Sequence, residues 1–197
     1  TSGPAGSGVT GLYASGTTAA GVVTKNLTGL APNTSYTVYV RSSCGLGIFS
    51  SWTSASNFTT PCLPYPIPYF EGFESGYTHN TVVAGCLYQQ SITEADKWTA
   101  NNTFTDYNRT PRTGNWNSFL KYGNEDWMYI PVDLVAGTSY NMDLYARQDG
   151  STATNASITV SYGTTAVNTA MTNAIIPQTG IINGGYQMLS GQFTPAT

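Results

Sequence analysis

The chain has 197 residues, of which only 9% are charged, against roughly 25% in an ordinary soluble domain. With seven Lys and Arg scattered along it and a formal net charge of −3, it has no basic patch for duplex nucleic acid or an anionic membrane. No apolar run approaches the ~18–20 residues that a membrane-spanning helix needs. Ser, Thr, Asn and Gly must supply the polar surface, and with 14 Tyr and 13% aromatic residues this composition suits strands and turns better than helices.

In chain order, the first strong pattern is Ser35–Arg41. Tyr36, Val38 and Val40 alternate with Thr37 and Tyr39, as the two faces of a strand alternate. The turn cluster Ala31–Pro32–Asn33 precedes it, and Asn57–Thr60 reads as a further short strand. Pro61, Pro64, Pro66 and Pro68 cannot lie inside a central strand, so residues 61–68 read as a stiff, extended connector. That predicts one domain over 1–60 and a second over 69–197. In the second, Ser139–Arg147 and Ala156–Tyr162 alternate again, separated by turns at Val135–Gly137, Gln148–Gly150 and Asn183–Gly185. No long window keeps the helical spacing. The expectation is an all-β protein of sandwich or barrel type.

Signs of an enzyme are few. Cys44, Cys62 and Cys86 form neither a CxxC nor a Cys/His cluster, which argues against zinc. Their odd number leaves at least one thiol free or paired outside this sequence. His79 is the only histidine, so a Ser-His-Asp or Cys-His site would have to use it; it lies in a Gly/Thr/Asn-rich loop, where a plain surface role is the simpler reading. No Gly-rich phosphate loop follows a strand, and nothing marks a catalytic carboxylate pair. A non-catalytic protein is expected.

Two stretches carry family resemblances. Leu30–Val40, with the pattern L-x-P-x-T-x-Y-x-V-x-V, resembles the E–F turn and F strand of a fibronectin type III domain, and Asn57–Thr60 resembles its last strand. The resemblance implies that Tyr36 is a corner tyrosine whose hydroxyl bonds to the upstream backbone. A whole domain of this kind has about 90–100 residues and a Trp near its start, whereas here no Trp precedes Trp52. Residues 1–60 are therefore expected to be the C-terminal part of such a domain.

Phe70–Glu74, Cys86, Asp96–Trp98, Pro111–Gly114 and Asn124–Leu134 running into Ala136–Tyr140 resemble the cleaved-adhesin and choice-of-anchor J domains. These are MAM-like jelly rolls found in large secreted proteins of Bacteroidetes-type bacteria. The resemblance implies a jelly-roll β-sandwich, C-terminally incomplete, in an extracellular or surface-attached protein, with a Cys62–Cys86 disulfide. It also implies structural calcium, for which Glu71, Glu74, Asp96 and Asp149 are the candidate ligands because calcium gathers six to eight oxygens. The plainer alternative is that these carboxylates are solvated charges at strand ends.

Sugar recognition wants flat aromatic faces with amide partners. Trp116, Tyr107, Tyr122 and Asn117, in the Asn-rich stretch between Asp96 and Asp126, are the candidates for such a surface. Burial in the core is the competing role for Trp116, as for Trp98 and Trp127. The function expected is a non-catalytic segment of a secreted or cell-surface multidomain adhesin, with glycans, surface proteins and neighbouring repeats of the same chain as partners. A carbohydrate-tethering accessory region of a secreted hydrolase, or a structural spacer in a surface filament, is the alternative.

Overall fold

The computed structural model describes residues 12–74, 76–83, 85–93, 96–102, 109–148, 156–182 and 184–196. The protein is all-β: among the described residues the regular elements are strands, apart from a 3-10 turn at Asn168–Ala170. It divides into two compact units, Thr1–Leu63 and Pro64–Thr197, with the division inside the Pro-rich connector.

In the first unit, β1 (Ser35–Val38) and β2 (Ser56–Thr59) pair antiparallel, with Tyr36 opposite Phe58. The alternation read in the sequence separates their two faces. On one, the Tyr36 and Phe58 rings stack at 5.8 Å and Tyr13 meets Tyr36 edge-on at 5.2 Å. On the other, Ser35 and Thr59 share a hydroxyl hydrogen bond of 2.8 Å, and Thr37 donates to Asn57 at 2.7 Å. The Tyr36 hydroxyl accepts the backbone N–H of Ala31 at 2.9 Å, the corner bond expected of it. Beyond β1 the chain turns back through an isolated antiparallel bridge, Ser43 to Phe49. There the Arg41 guanidinium lies over the rings of Phe49 and Trp52, at 3.8 and 4.4 Å.

The second unit holds β3 (Thr81–Val82), β4 (Tyr88–Thr93), β5 (Thr99–Asn101), β6 (Asn117–Phe119), β7 (Glu125–Tyr129), β8 (Tyr140–Ala146), β9 (Ser157–Tyr162), β10 (Asn173–Gly180) and β11 (Gln187–Phe193). Antiparallel ladders join β3–β5–β6, β4–β7, β8–β11 and β9–β10. Strands β8 and β11 alternate half-buried and exposed positions throughout, as strands with one solvated face do. Phe193 of β11 touches Tyr140 of β8 at 5.8 Å and Tyr162 of β9 at 5.1 Å, joining the two ladders. Gly191 lets β11 approach β10: a Cβ there would run into the Ile175 backbone.

The tightest cluster is Val83, Leu87 and Ala100, against which Phe73, Tyr77, Trp98, Trp116 and Met128 pack. Gln89 laces it together. Its amide donates to the carbonyls of Val83 and Trp98 and accepts the Trp98 N–H at 2.8 Å, so one side chain bridges the backbones on either side of it. The Trp98 indole N–H donates to the Asp126 carbonyl at 3.2 Å, satisfying the polar edge of a packed ring.

A second tyrosine corner closes the turn before β8. The Tyr140 hydroxyl accepts the Val135 N–H at 2.9 Å. Leu134–Tyr140 repeats Leu30–Tyr36, sharing Leu, Thr, Ser and Tyr at matching positions. Gly137 at φ 76 stands where Asn33 stands at φ 45. Both turns need a residue at ease in the left-handed region, and Gly and Asn are the usual solutions.

Candidate functional site

The second unit opens by laying Tyr65 beside the segment after β7. The Tyr65 N–H donates to the Pro131 carbonyl at 2.8 Å, and the Asp133 N–H donates to the Tyr65 carbonyl at 2.9 Å. Four residues on, Tyr69 stacks on Tyr65 with ring centroids 4.5 Å apart. The chain then turns through Phe70–Glu74. Glu71 governs this turn: one carboxylate oxygen accepts the Phe73 N–H at 2.5 Å and the other accepts the Tyr69 hydroxyl at 3.0 Å. Phe73 sits at φ 59, a strained backbone for a bulky residue. Two interactions hold it there, the Glu71 bond and the packing of its ring against the core cluster.

These residues frame a cleft of about 210 Å³, lined by Tyr65, Glu71, Gly76, Tyr77, Gly85, Cys86 and Leu87. Cys86 is disulfide-bonded to Cys62, while Cys44 is a free, exposed thiol. Burial, reinforced by the Glu71 charge, raises the Tyr69 hydroxyl above its ordinary range and pushes Tyr77 up to about 12. Among the described residues no Lys, Arg or His comes within ion-pair distance of Glu71. The cleft thus offers tyrosine rings and one half-buried carboxylate with no cation beside it.

The other residues singled out in the sequence have different surroundings. Glu74 is a staple. Its carboxylate accepts the Asn115 N–H on both oxygens, at 3.2 and 3.0 Å, and the Trp116 N–H at 3.2 Å. Gly114, at φ 65, leaves room for it. Asp96 is exposed and pairs with Lys121 at 3.0 Å; the hydrogen bond from that ammonium holds its carboxyl below the usual range. Asp149 lies outside the described residues. Among the described residues no three His, Cys, Asp or Glu side chains gather as a metal shell requires. Among the described residues, the buried side-chain amide and carboxylate oxygens without a protein partner belong to Asn102, Asn124 and Asp126. The carboxylate oxygens of Glu71 and Glu74 accept protein N–H and O–H groups.

Of the aromatic and amide residues chosen for sugar contact, Trp116 packs against the core cluster. Asn117 donates its amide to the Arg109 carbonyl at 2.7 Å and accepts from Asn101 at 3.1 Å. Tyr122 is 87% exposed, and Tyr107 lies outside the described residues. Trp98 and Trp127 take structural places, Trp98 on the core cluster and Trp127 stacked on Tyr129 at 6.1 Å. His79 is half-buried, with its Nδ1 accepting the Asn102 N–H at 3.3 Å. Asp126, on β7, has its carboxyl raised by burial.

The sequence reading missed Tyr65, Tyr69 and Tyr77. A signal was present: Tyr65 inside the Pro-rich connector and Tyr69 just after it, four residues apart, with Glu71 two residues further on. The connector was read for stiffness, and its side chains were passed over. Comparisons with protein families, with curated proteins and with solved structures found no match for this chain.

Proposed function

We propose that this chain is a non-catalytic segment of a secreted or cell-surface multidomain adhesin, a fibronectin type III-like unit in series with a jelly-roll unit. The second unit contacts glycans through the cleft of Tyr65, Tyr77 and Glu71. The cleft is the observation that carries this reading. Concave sites lined by aromatic rings, with few polar groups to fix orientation, are the usual form of a small-ligand or sugar site.

The remaining chemistry supports contact over catalysis. Glu74 and Asp96 are spent on holding loops, and the His79 Nδ1 is occupied by a backbone N–H. The Cys62–Cys86 disulfide is compatible with an oxidising, extracellular setting. No helix among the described residues is long and apolar enough to cross a membrane.

The test is binding of the fluorescently labelled chain to an array of immobilised glycans. Binding to a defined subset supports the reading, and a folded chain that binds none overturns it.

A further inference from the structure

We infer that the cleft selects ligands carrying an organic ammonium group, with Glu71 as its anionic partner and the rings of Tyr65 and Tyr77 among its lining. This rests on the reading of the cleft as a contact site and adds the chemical class of what enters it.

Three observations converge. Glu71 is half-buried, and no Lys, Arg or His among the described residues neutralises it. An ionised carboxylate drawn out of bulk water without a cation lacks the partner such groups ordinarily have. Its two protein hydrogen bonds, from Phe73 N–H and Tyr69 O–H, hold it in one orientation. They leave acceptor capacity, because a carboxylate has about four lone-pair sites. Tyrosines line the same cleft, and the negative face of an aromatic ring attracts ammonium groups. The raised hydroxyl of Tyr77 has the same origin in burial and negative potential. The volume of about 210 Å³ admits a single small cationic group or one sugar ring. A primary ammonium on an amino sugar and a quaternary choline group share this chemistry.

The experiment is a titration of the intact chain, followed by the NMR signals of its tyrosine rings, at constant ionic strength. The probes are glucosamine against glucose, and choline against 3,3-dimethylbutan-1-ol, which keeps the shape and lacks the charge. The expected result is saturable shifts with glucosamine or choline, and affinity for the neutral partner lower by about tenfold. Which cation binds more tightly assigns the source. Glu71→Gln should remove the preference while the rings still respond to the neutral probes. Equal response to charged and neutral sugars overturns ammonium selection and leaves the contact reading standing. No response to any probe overturns both. The wild-type comparison of charged with neutral probes decides the matter even where Glu71→Gln fails to fold.

Discussion

Glu74 and Gly114 should behave as one device, and the structure sets the size of the effect. Two backbone donors, Asn115 and Trp116 N–H, point at the Glu74 carboxylate, and Trp116 carries that turn onto the core cluster. Hydrogen bonds to a charged acceptor are worth more than neutral ones, but Glu74 is solvent-exposed, so about 1 kcal/mol for each donor is reasonable. Glu74→Ala should then cost about 2 kcal/mol. Gly114→Ala places a Cβ at φ 65, which costs about 1 kcal/mol in the backbone alone. It also drives the new methyl into the Glu74 carboxylate, which must swing away and lose its bonds, so the total is about 3 kcal/mol. In the Glu74→Ala background only the backbone part of the Gly114 change remains. The double variant should therefore also lie near 3 kcal/mol below wild type, a coupling of about 2 kcal/mol. Urea unfolding followed by Trp fluorescence measures all four proteins. Additive losses near 5 kcal/mol, or a neutral Glu74→Ala, would refute the staple.

Four further outcomes are expected. Replacing Cys62 and Cys86 together by Ser opens a loop of about 25 residues and should cost roughly 3 kcal/mol in urea unfolding. Gly191→Ala sets a methyl against the Ile175 backbone between β10 and β11 and should lower stability by about 1–3 kcal/mol. Tyr140→Phe removes the hydroxyl that accepts the Val135 N–H and should cost about 1 kcal/mol by thermal unfolding, while leaving the β8–β11 rings in place. Tyr69 and Tyr77 bind their protons more tightly folded than unfolded. Their contribution is complete below the unfolded tyrosine value of about 10 and is lost as pH rises through the folded values. Stability should fall from pH 10 toward 12, and tyrosinate absorbance should show these two hydroxyls ionising late, earlier in Glu71→Gln.

Much of the fold was written in period-two alternation and punctuation. Ser35–Arg41, Ser139–Arg147 and Ala156–Tyr162 overlap β1, β8 and β9, because strands with one solvated face display their geometry in sequence. Asn57–Thr60 overlaps β2, and the proline run holds the division between the two units. The corner bond of Tyr36 was an expectation from the resemblance of Leu30–Val40 to a fibronectin type III turn, and the same signature at Leu134–Tyr140 is masked by Gly137 and Ala136 in place of Asn and Pro. Site residues were harder. Trp116 and Asn117 have the side chains that a sugar face uses, yet packing and a donor to the Arg109 carbonyl claim them. Burial and pairing between distant segments are properties of the folded chain, and alternation along one strand does not encode them. The cleft escaped for the same reason. Tyr65, Tyr77 and Leu87 come from three separate stretches, and their meeting depends on the Tyr65 bridge to the segment after β7.

The most direct measurement is glycan-array binding by the wild-type chain beside Tyr77→Leu and Tyr122→Ala, each first shown to be folded by its unfolding transition. Contact through the cleft predicts that Tyr77→Leu abolishes the wild-type signal and that Tyr122→Ala, altering an exposed ring away from the cleft lining, preserves it. Binding that survives Tyr77→Leu, or a folded wild-type chain that binds no glycan, would contradict the assignment of the cleft as the contact site.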